Sequence, residues 1–245
     1  MPCIQLLGVK VHRIGMPEAL DAIRSFIASG KPHQVVTADS SMIVLGQRDE
    51  EFRALVNAAD LVTPDSSGIL LGARLLGTPL KERVSGVDLS REICAMAAED
   101  GFSVYLLGSA PGVAESAAER LESAFPGLRI AGTHDGYFGP SEDGEVAAEI
   151  RASGAKALLV GMGIPRQEKW IRDHLSELGV CVAMGVGGTL DVLSGKVKRA
   201  PVWMQRHGLE WLYRLARNPR KISKVAMLPR FLLLVARARL AQGRS

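Results

Sequence analysis

The chain has 245 residues, 47% hydrophobic and 23% charged, which suits one large folded domain with an optional appendage and excludes a disordered chain. Its three cysteines, Cys3, Cys94 and Cys181, form no C-x-x-C pair and fit reduced thiols in the cytoplasm rather than a disulfide framework. The formal charge of +4 conceals an asymmetry: residues 196–245 hold 13 of the 30 Lys/Arg and one of the 26 acids, Glu210, so the tail carries +12 and the first 195 residues −8. Such a tail calls for an anionic partner: nucleic acid, a phosphorylated substrate or an anionic membrane surface. The opening "MPCIQLLGVK" has no basic segment followed by a long apolar one, so no signal peptide is expected. No apolar run approaches the roughly 18 residues of a membrane span.

In chain order, residues 17–29 read as a helix with Leu20, Ile23 and Ile27 on one face. "QVVTA" (34–38) reads as a strand, 40–57 as one helix, "DLVTP" (60–64) as a strand, "SGILLGARLLG" as a helix, and Ser85 to Glu99 as another. "SVYLLG" (103–108) is a buried strand, followed by a helix over 111–125 with Pro111 in its first turn. "LRIAGT" is a strand, 141–153 a helix, "ALLVGMG" (157–163) a strand, "PRQEKWIRDHLSEL" a helix and "VCVAMGVG" (180–187) a strand. This alternation, with strands that are apolar throughout, predicts an α/β fold: a mostly parallel sheet with helices on both faces. The character changes near Lys196, which divides a body (1–195) from a basic helical C-terminal appendage (196–245). There Trp203, Leu209, Leu212 and Leu215 could line one helix face, and the apolar run Phe231 to Ala236 precedes Arg237 and Arg239. These read as basic amphipathic helices on a membrane surface; the alternative is a helical pair packed on the body with a solvated basic face.

Parallel sheets hold ligands at the carboxyl ends of their strands. The polar residues that stand out lie there: Thr37 and Asp39, Asp65, "GTHDGYFG" (132–139), "GMGIPRQE" (161–168) and "GVGGTLD" (185–191). "GMGIPRQ" lacks the third glycine of a dinucleotide fingerprint, and no G-x-x-x-x-G-K-[ST] occurs. The Gly-rich strand ends can still bring backbone N–H groups and helix N-termini against a phosphate. The five His are scattered, and neither a zinc spacing nor a D-x-D is present, so no metal is expected. A departing diphosphate would then be stabilised by cationic side chains and helix N-termini. Asp65 reads either as a cap of the helix that follows or as a general base at the ligand edge, because Ser66 and Ser67 can cap that helix instead. Arg83 could be a solvated surface residue, Gln167 an ordinary first-turn residue and Asp191 an ordinary cap.

"TPDSSG", "KERVSGVDL", "YLLGSAPGVAE", "GTHDGYF", "GMGIPRQEKW", "GVGGTLDVLSGKVKRAPVW" and "GLEWLYRLARNPRK" occur in this order. From about residue 5 to about 225 the chain closely resembles the WecG/TagA/CpsF glycosyltransferase family of bacterial surface polysaccharide synthesis. The resemblance implies a Rossmann-like body and metal-independent, inverting transfer of a sugar from a UDP-sugar to a polyprenyl-diphosphate-linked sugar. It also implies an appendage that meets the cytoplasmic face of the membrane. By resemblance Asp65 is the general base, and Thr37, Arg83 and Gln167 line the sugar and acceptor pocket. Asp191 and Asp135, Gly136 and Tyr137 hold the UDP, beside the strand-end Gly161. Arg214, Arg220, Lys221 and Lys224 reach a diphosphate.

Two positions depart from the family pattern. Asp39 stands where members usually carry Asn, an extra carboxylate that could repel a phosphate, so the donor stays open among N-acetylmannosamine, its uronic acid and a related hexose. Ser66 stands where Gly is usual, and it would be strained if that position needs a positive φ. The ending after "NPRK" also lacks the Arg-Tyr-rich character of many members. A nucleic-acid partner is not expected, since the tail resembles no groove-reading motif. A non-catalytic UDP-sugar-binding protein is the alternative function, and homo-oligomerisation is left open.

Overall fold

A computed structural model describes residues 1–217 and 227–242. The chain opens with an antiparallel hairpin that the sequence pattern did not reveal, β1 (Cys3–Leu6) and β2 (Val9–His12). Leu7 and Gly8 turn it, both at positive φ (51° and 82°), the conformation that matches the twist of a two-residue hairpin. Its Leu6, Val9 and Val11 are buried.

The body then alternates as expected: α1 (Met16–Ser29), β3 (His33–Ala38), α2 (Ser40–Gly46), α3 (Glu50–Ala58), β4 (Leu61–Pro64), α4 (Ser67–Leu75), α5 (Gly86–Asp100), β5 (Ser103–Gly108), α6 (Val113–Ala124), β6 (Arg129–His134), α7 (Asp143–Ser153), β7 (Ala157–Gly161), α8 (Arg166–His174), β8 (Val182–Gly185) and α9 (Thr189–Leu193). Three expected helices differ. The one read over "PRQEKWIRDHLSEL" ends at His174. The helix over 40–57 is split, because Asp49 caps a new start by accepting from Phe52 N at 2.8 Å. The helix placed at 111–125 begins only at Val113, after Gly112 at φ 80°.

β3 to β8 form one parallel sheet in the order β4-β3-β8-β7-β5-β6. Alternate strand residues feed opposite faces. Val35, Leu61, Leu106, Leu159 and Met184 join a core with α1, α5, α6 and α9. Val36, Ala38 and Val62 join a second core with α2, α3 and α4, and Leu107, Leu158 and Val160 a third with α7 and α8. The connection after β5 runs outward to β6, and that after β7 runs back toward β8. A crevice therefore opens between β5 and β7, the place where such sheets receive ligands. Gly108 and Gly161 line its floor so closely that a Cβ on Gly108 (φ 130°) would lie 2.5 Å from the Gly161 backbone.

Beyond the body come α10 (Val202–Arg206), α11 (Glu210–Arg217) and α12 (Met227–Gln242). The run Phe231 to Ala236 is not a surface stripe. Phe231 and Val235, one helical turn apart, are fully buried against α2 and α4, and the Phe231 ring fills the space over Gly72, where a Cβ would meet it at 2.5 Å. Leu233 and Leu240 point outward. A break at Gly208 (φ 72°) also divides the expected single face of Trp203, Leu209, Leu212 and Leu215, the last with its side chain outside the described residues, leaving Trp203 58% exposed.

Candidate functional site

The pairing of β3 with β4 sets Thr37 beside Thr63 and Ala38 beside Pro64, so Thr37, Asp39 and Asp65 arrive together at the carboxyl edge. The Asp65 N–H donates to the Ala38 carbonyl at 2.9 Å. Ser66, not Asp65, caps α4 by accepting from Ile69 N at 3.3 Å. Ser66 has φ −113°, ordinary extended backbone, so the strain expected of a Ser at this position does not arise. Half-buried Asp65 instead reaches across the edge, where its Oδ1 accepts from Gly86 N, the first residue of α5, at 2.7 Å. A helix N-terminus thus holds one oxygen of the carboxylate. Buried Thr37 donates from Oγ1 to the Gly185 carbonyl at 2.8 Å, tying β3 to β8. Asp39 caps α2: its Oδ1 accepts from Met42 N at 2.9 Å and from Ser41 Oγ at 2.6 Å. The extra carboxylate is engaged at a helix start, where its charge suits the dipole.

Arg83 is not a solvated surface residue. It donates to Glu210 Oε2 at 3.1 Å, with side-chain exposures of 18% and 11% for the pair. Arg199 lies 3.9 Å from the other Glu210 oxygen and forks onto Asp88 at 2.5 and 2.7 Å. Burial alone would raise the Asp88 pKa, but hydrogen bonds from Arg199 and Ser85 outweigh it and hold the pKa below the usual value. The Asp88 hydrogen bonds raise Arg199 in turn, with support from the nearby charges of Glu210 and Asp65. The lone acid of the tail thereby joins α11 to the site, and the Gly208 turn rests on Ser67 at the start of α4.

A second grouping lies over β5 to β8. Gln167 is 2% exposed, and its Oε1 accepts from Gly163 N (3.1 Å) and Gly187 N (2.9 Å). Its Nε2 donates to Glu168 Oε1 at 2.6 Å. The amide joins the loops after β7 and β8. Glu168 is completely buried and its Oε2 has no hydrogen-bond partner, so desolvation pushes its pKa up to about 7 despite the Gln167 bond. Asp135 Oδ1 accepts from Tyr137 N at 2.7 Å, and Gly136 N donates to the Ser109 carbonyl at 2.8 Å. Arg166 clasps this turn, donating to the carbonyls of Gly136 (2.8 Å) and Phe138 (2.7 Å). The Tyr137 ring stands 76% exposed at the rim. Gly161 lies in the β5/β7 crevice, and half-buried Asp191 follows β8 in α9. A cavity of about 430 Å³ opens between the start of α6 (Pro111, Gly112, Val113, Ser116) and Ser194, Gly195 and Lys196. Gly112 gives α6 no side-chain cap, and the start of the helix lines this space together with Lys196.

Arg214 lies in α11 with its side chain outside the described residues, as are Arg220, Lys221 and Lys224 altogether. Sequence reasoning missed Arg199, Glu210, Arg166, Glu168 and Lys196. The one available signal was Glu210, as the single acid of a basic tail. Among the described residues no three His, Cys, Asp or Glu gather in a way that could hold a metal ion, and no helix is long and apolar enough to cross a membrane.

These features define a parallel α/β protein with its polar residues gathered along the strand carboxyl edge. More particularly, the chain belongs to the glycosyl transferase WecG/TagA/CpsF family, whose profile matches residues 4–245. It is 34% identical over 211 residues to an N-acetylglucosaminyldiphosphoundecaprenol N-acetyl-beta-D-mannosaminyltransferase of Bacillus spizizenii, covering 86% of this chain and 81% of that one. It is 30% identical over 238 residues to the protein of the same name from Staphylococcus aureus, covering 96% and 93%.

Proposed function

We propose that this chain transfers a sugar from a UDP-sugar to a polyprenyl-diphosphate-linked sugar, with inversion and without a metal, and that Asp65 is the general base. The sugar is N-acetylmannosamine, its uronic acid or a related hexose. The relatives' names support the acceptor class and the N-acetylmannosaminyl donor group. The observation that carries the reading is the Asp65 carboxylate, fixed at the strand edge by the 2.7 Å bond from Gly86 N. In the proposed step the acceptor hydroxyl gives its proton to Asp65. Its oxygen bonds to the anomeric carbon on the face opposite UDP, and the carbon–oxygen bond to the diphosphate breaks with its electron pair leaving on UDP. The start of α6 with Lys196 suits the donor diphosphate, and Asp191 with Asp135 to Tyr137 suits the nucleoside. The basic residues of the tail, Arg214, Arg220, Lys221 and Lys224 among them, neutralise the departing charge. The same tail holds the protein peripherally on the cytoplasmic face of the membrane, where a lipid-linked acceptor resides.

The test is UDP release from UDP-N-acetylmannosamine, with and without a short-chain prenyl-diphosphate-N-acetylglucosamine, in chelator, for wild type and Asp65→Asn. Acceptor-dependent release that disappears in the variant is expected. UDP that binds but is never released from any UDP-sugar donor would leave a sugar-nucleotide-binding protein.

A further inference from the structure

The most deeply buried carboxyl group among the described residues, that of Glu168, takes no part in the proposed transfer step. It stands in the first turn of α8, where its Oε1 accepts from Gln167 Nε2 at 2.6 Å and its Oε2 meets no hydrogen-bond partner among the described residues. The Gln167 amide can face only one way. Its Oε1 accepts from both Gly163 N and Gly187 N, so the nitrogen must be the end that meets Glu168. The end of β8 closes over the pair: a Cβ on Gly185 would lie 2.7 Å from Gln167 Nε2 and 3.0 Å from Glu168 Oε1. The Gly185 carbonyl in turn accepts from Thr37 at 2.8 Å, and Gln34 Nε2 donates to the Glu168 carbonyl at 3.2 Å. One buried carboxyl group thus stands behind the amide that ties the loops after β7 and β8.

The two protonation states of Glu168 differ in what they ask of this packing. A neutral acid keeps Oε1 as the acceptor for Gln167 and carries its proton on Oε2. An ionised carboxylate leaves a charged oxygen buried without a donor, a cost relieved when water enters. Gln167 and the end of β8 lie against the carboxyl group, so admitting water disturbs the amide and the loops it joins. Burial favours the neutral form, and the charge of Asp39 adds to it, against hydrogen bonds from Gln167 and from the Glu168 backbone. The other charges on the elements packed against α8 are engaged elsewhere. β8 carries none. On α3, Glu51 pairs with Arg172 at 2.8 Å and, with Asp49, approaches Lys169 at 4.0 and 3.9 Å, while Glu50 pairs with Arg53 at 2.9 Å. On β3, His33 faces Asp60 at 3.1 Å, and on α7, Asp143 accepts from Trp170 Nε1 at 3.0 Å.

We propose that Glu168 is a positioning residue that acts through Gln167: as a neutral acid it locks the loops after β7 and β8 in the arrangement that receives the donor, and on ionising it releases them. This deepens the transferase reading by giving the donor side of the site a proton-controlled lock, and it rests on that reading for its effect on catalysis.

The test is native-state hydrogen exchange on the full chain in steps from pH 5 to pH 8, for wild type, Glu168→Gln and Asp39→Asn, each rate divided by the intrinsic rate at that pH. Leu106 of β5 reports global opening. In wild type the protection of the Gly163 and Gly187 N–H groups should fall about tenfold more than that of Leu106 between pH 6 and pH 8. Glu168→Gln keeps an oxygen for Gln167 Nε2 and cannot ionise, so the excess fall should vanish. Asp39→Asn removes a charge that favours the neutral acid, so the midpoint of the fall should move to lower pH. No excess fall in wild type, or the same fall in Glu168→Gln, overturns the lock. If a thermal melt shows Glu168→Gln to be unfolded, Asp39→Asn decides, and an unmoved midpoint overturns the lock. In the transfer assay the donor KM of wild type should rise about tenfold over the same range, with kcat changed less, and stay level in Glu168→Gln. A level KM in wild type overturns the positioning role. An excess fall in protection without transfer from any donor would sink the transferase reading and leave the lock standing. Transfer without the excess fall would do the reverse.

Discussion

Asp65 and Gln167 sit on the same carboxyl edge, yet their surroundings differ in kind. Asp65 is half-buried, and its Oδ1 accepts from a helix N–H, that of Gly86. Gln167 is 2% exposed, and three hydrogen bonds to Gly163, Gly187 and Glu168 engage its amide. A group that must exchange a proton needs access, and a group that must hold two loops still needs burial and full satisfaction. On the proposed reading, the β3–β4 half of the edge serves the chemistry and the β7–β8 half the framing.

Substitutions can break that contrast. The largest effect is expected from Asp65→Asn, which keeps an oxygen for Gly86 N–H but removes the base. Transfer should fall by roughly 10²–10⁴, with stability changed by no more than about 0.5 kcal/mol. A marked drop in the melting temperature would place Asp65 in the frame instead. Next, Gln167→Leu leaves two backbone N–H groups unpaired and should cost about 1–3 kcal/mol in urea unfolding. Unchanged stability with lost activity would move Gln167 to the chemical half. Glu168 gives a pH signature. Its folded pKa of about 7 lies above the unfolded value near 4.5, so between these pH values the native state binds more protons. Stability is therefore fullest at low pH and declines as pH rises through that window, by up to about 3 kcal/mol. Glu168→Gln should remove the slope when urea midpoints at pH 5 and pH 8 are compared, and a slope that persists would mean Glu168 is not its source. The smallest effect is expected from Arg83→Lys, which retains the charge opposite Glu210 but loses the planar guanidinium donor. It should cost no more than about 1 kcal/mol by thermal melt.

The alternation of helix and strand was legible because strands buried on both faces read as short apolar runs, such as "SVYLLG" and "ALLVG". The β1–β2 hairpin was not: four residues per strand give too short a pattern, and Leu7-Gly8 is not a typical turn pair. The split at Asp49 was hidden by helical periodicity on both sides of it. The placement of Asp65 and Thr37 at the carboxyl edge was legible because a strand end is a local feature. The partners of Arg83 and Asp88 were not, since Glu210 and Arg199 lie more than a hundred residues away in sequence and periodicity carries no information at that range. Phe231 was misplaced on the surface for the same reason: an apolar run followed by arginines looks alike whether it meets lipid or Gly72.

Glu210 carries a further meaning. From residue 200 onward every other charge is positive, so this one acid can face Arg83 and Arg199 in only one alignment. Shift that segment by a turn and Arg206 or Arg214 would take the place of Glu210 opposite Arg83 and Arg199, so the wrong registers repel themselves. Glu210 thus works as an address, telling a strongly basic stretch where on the molecule it belongs.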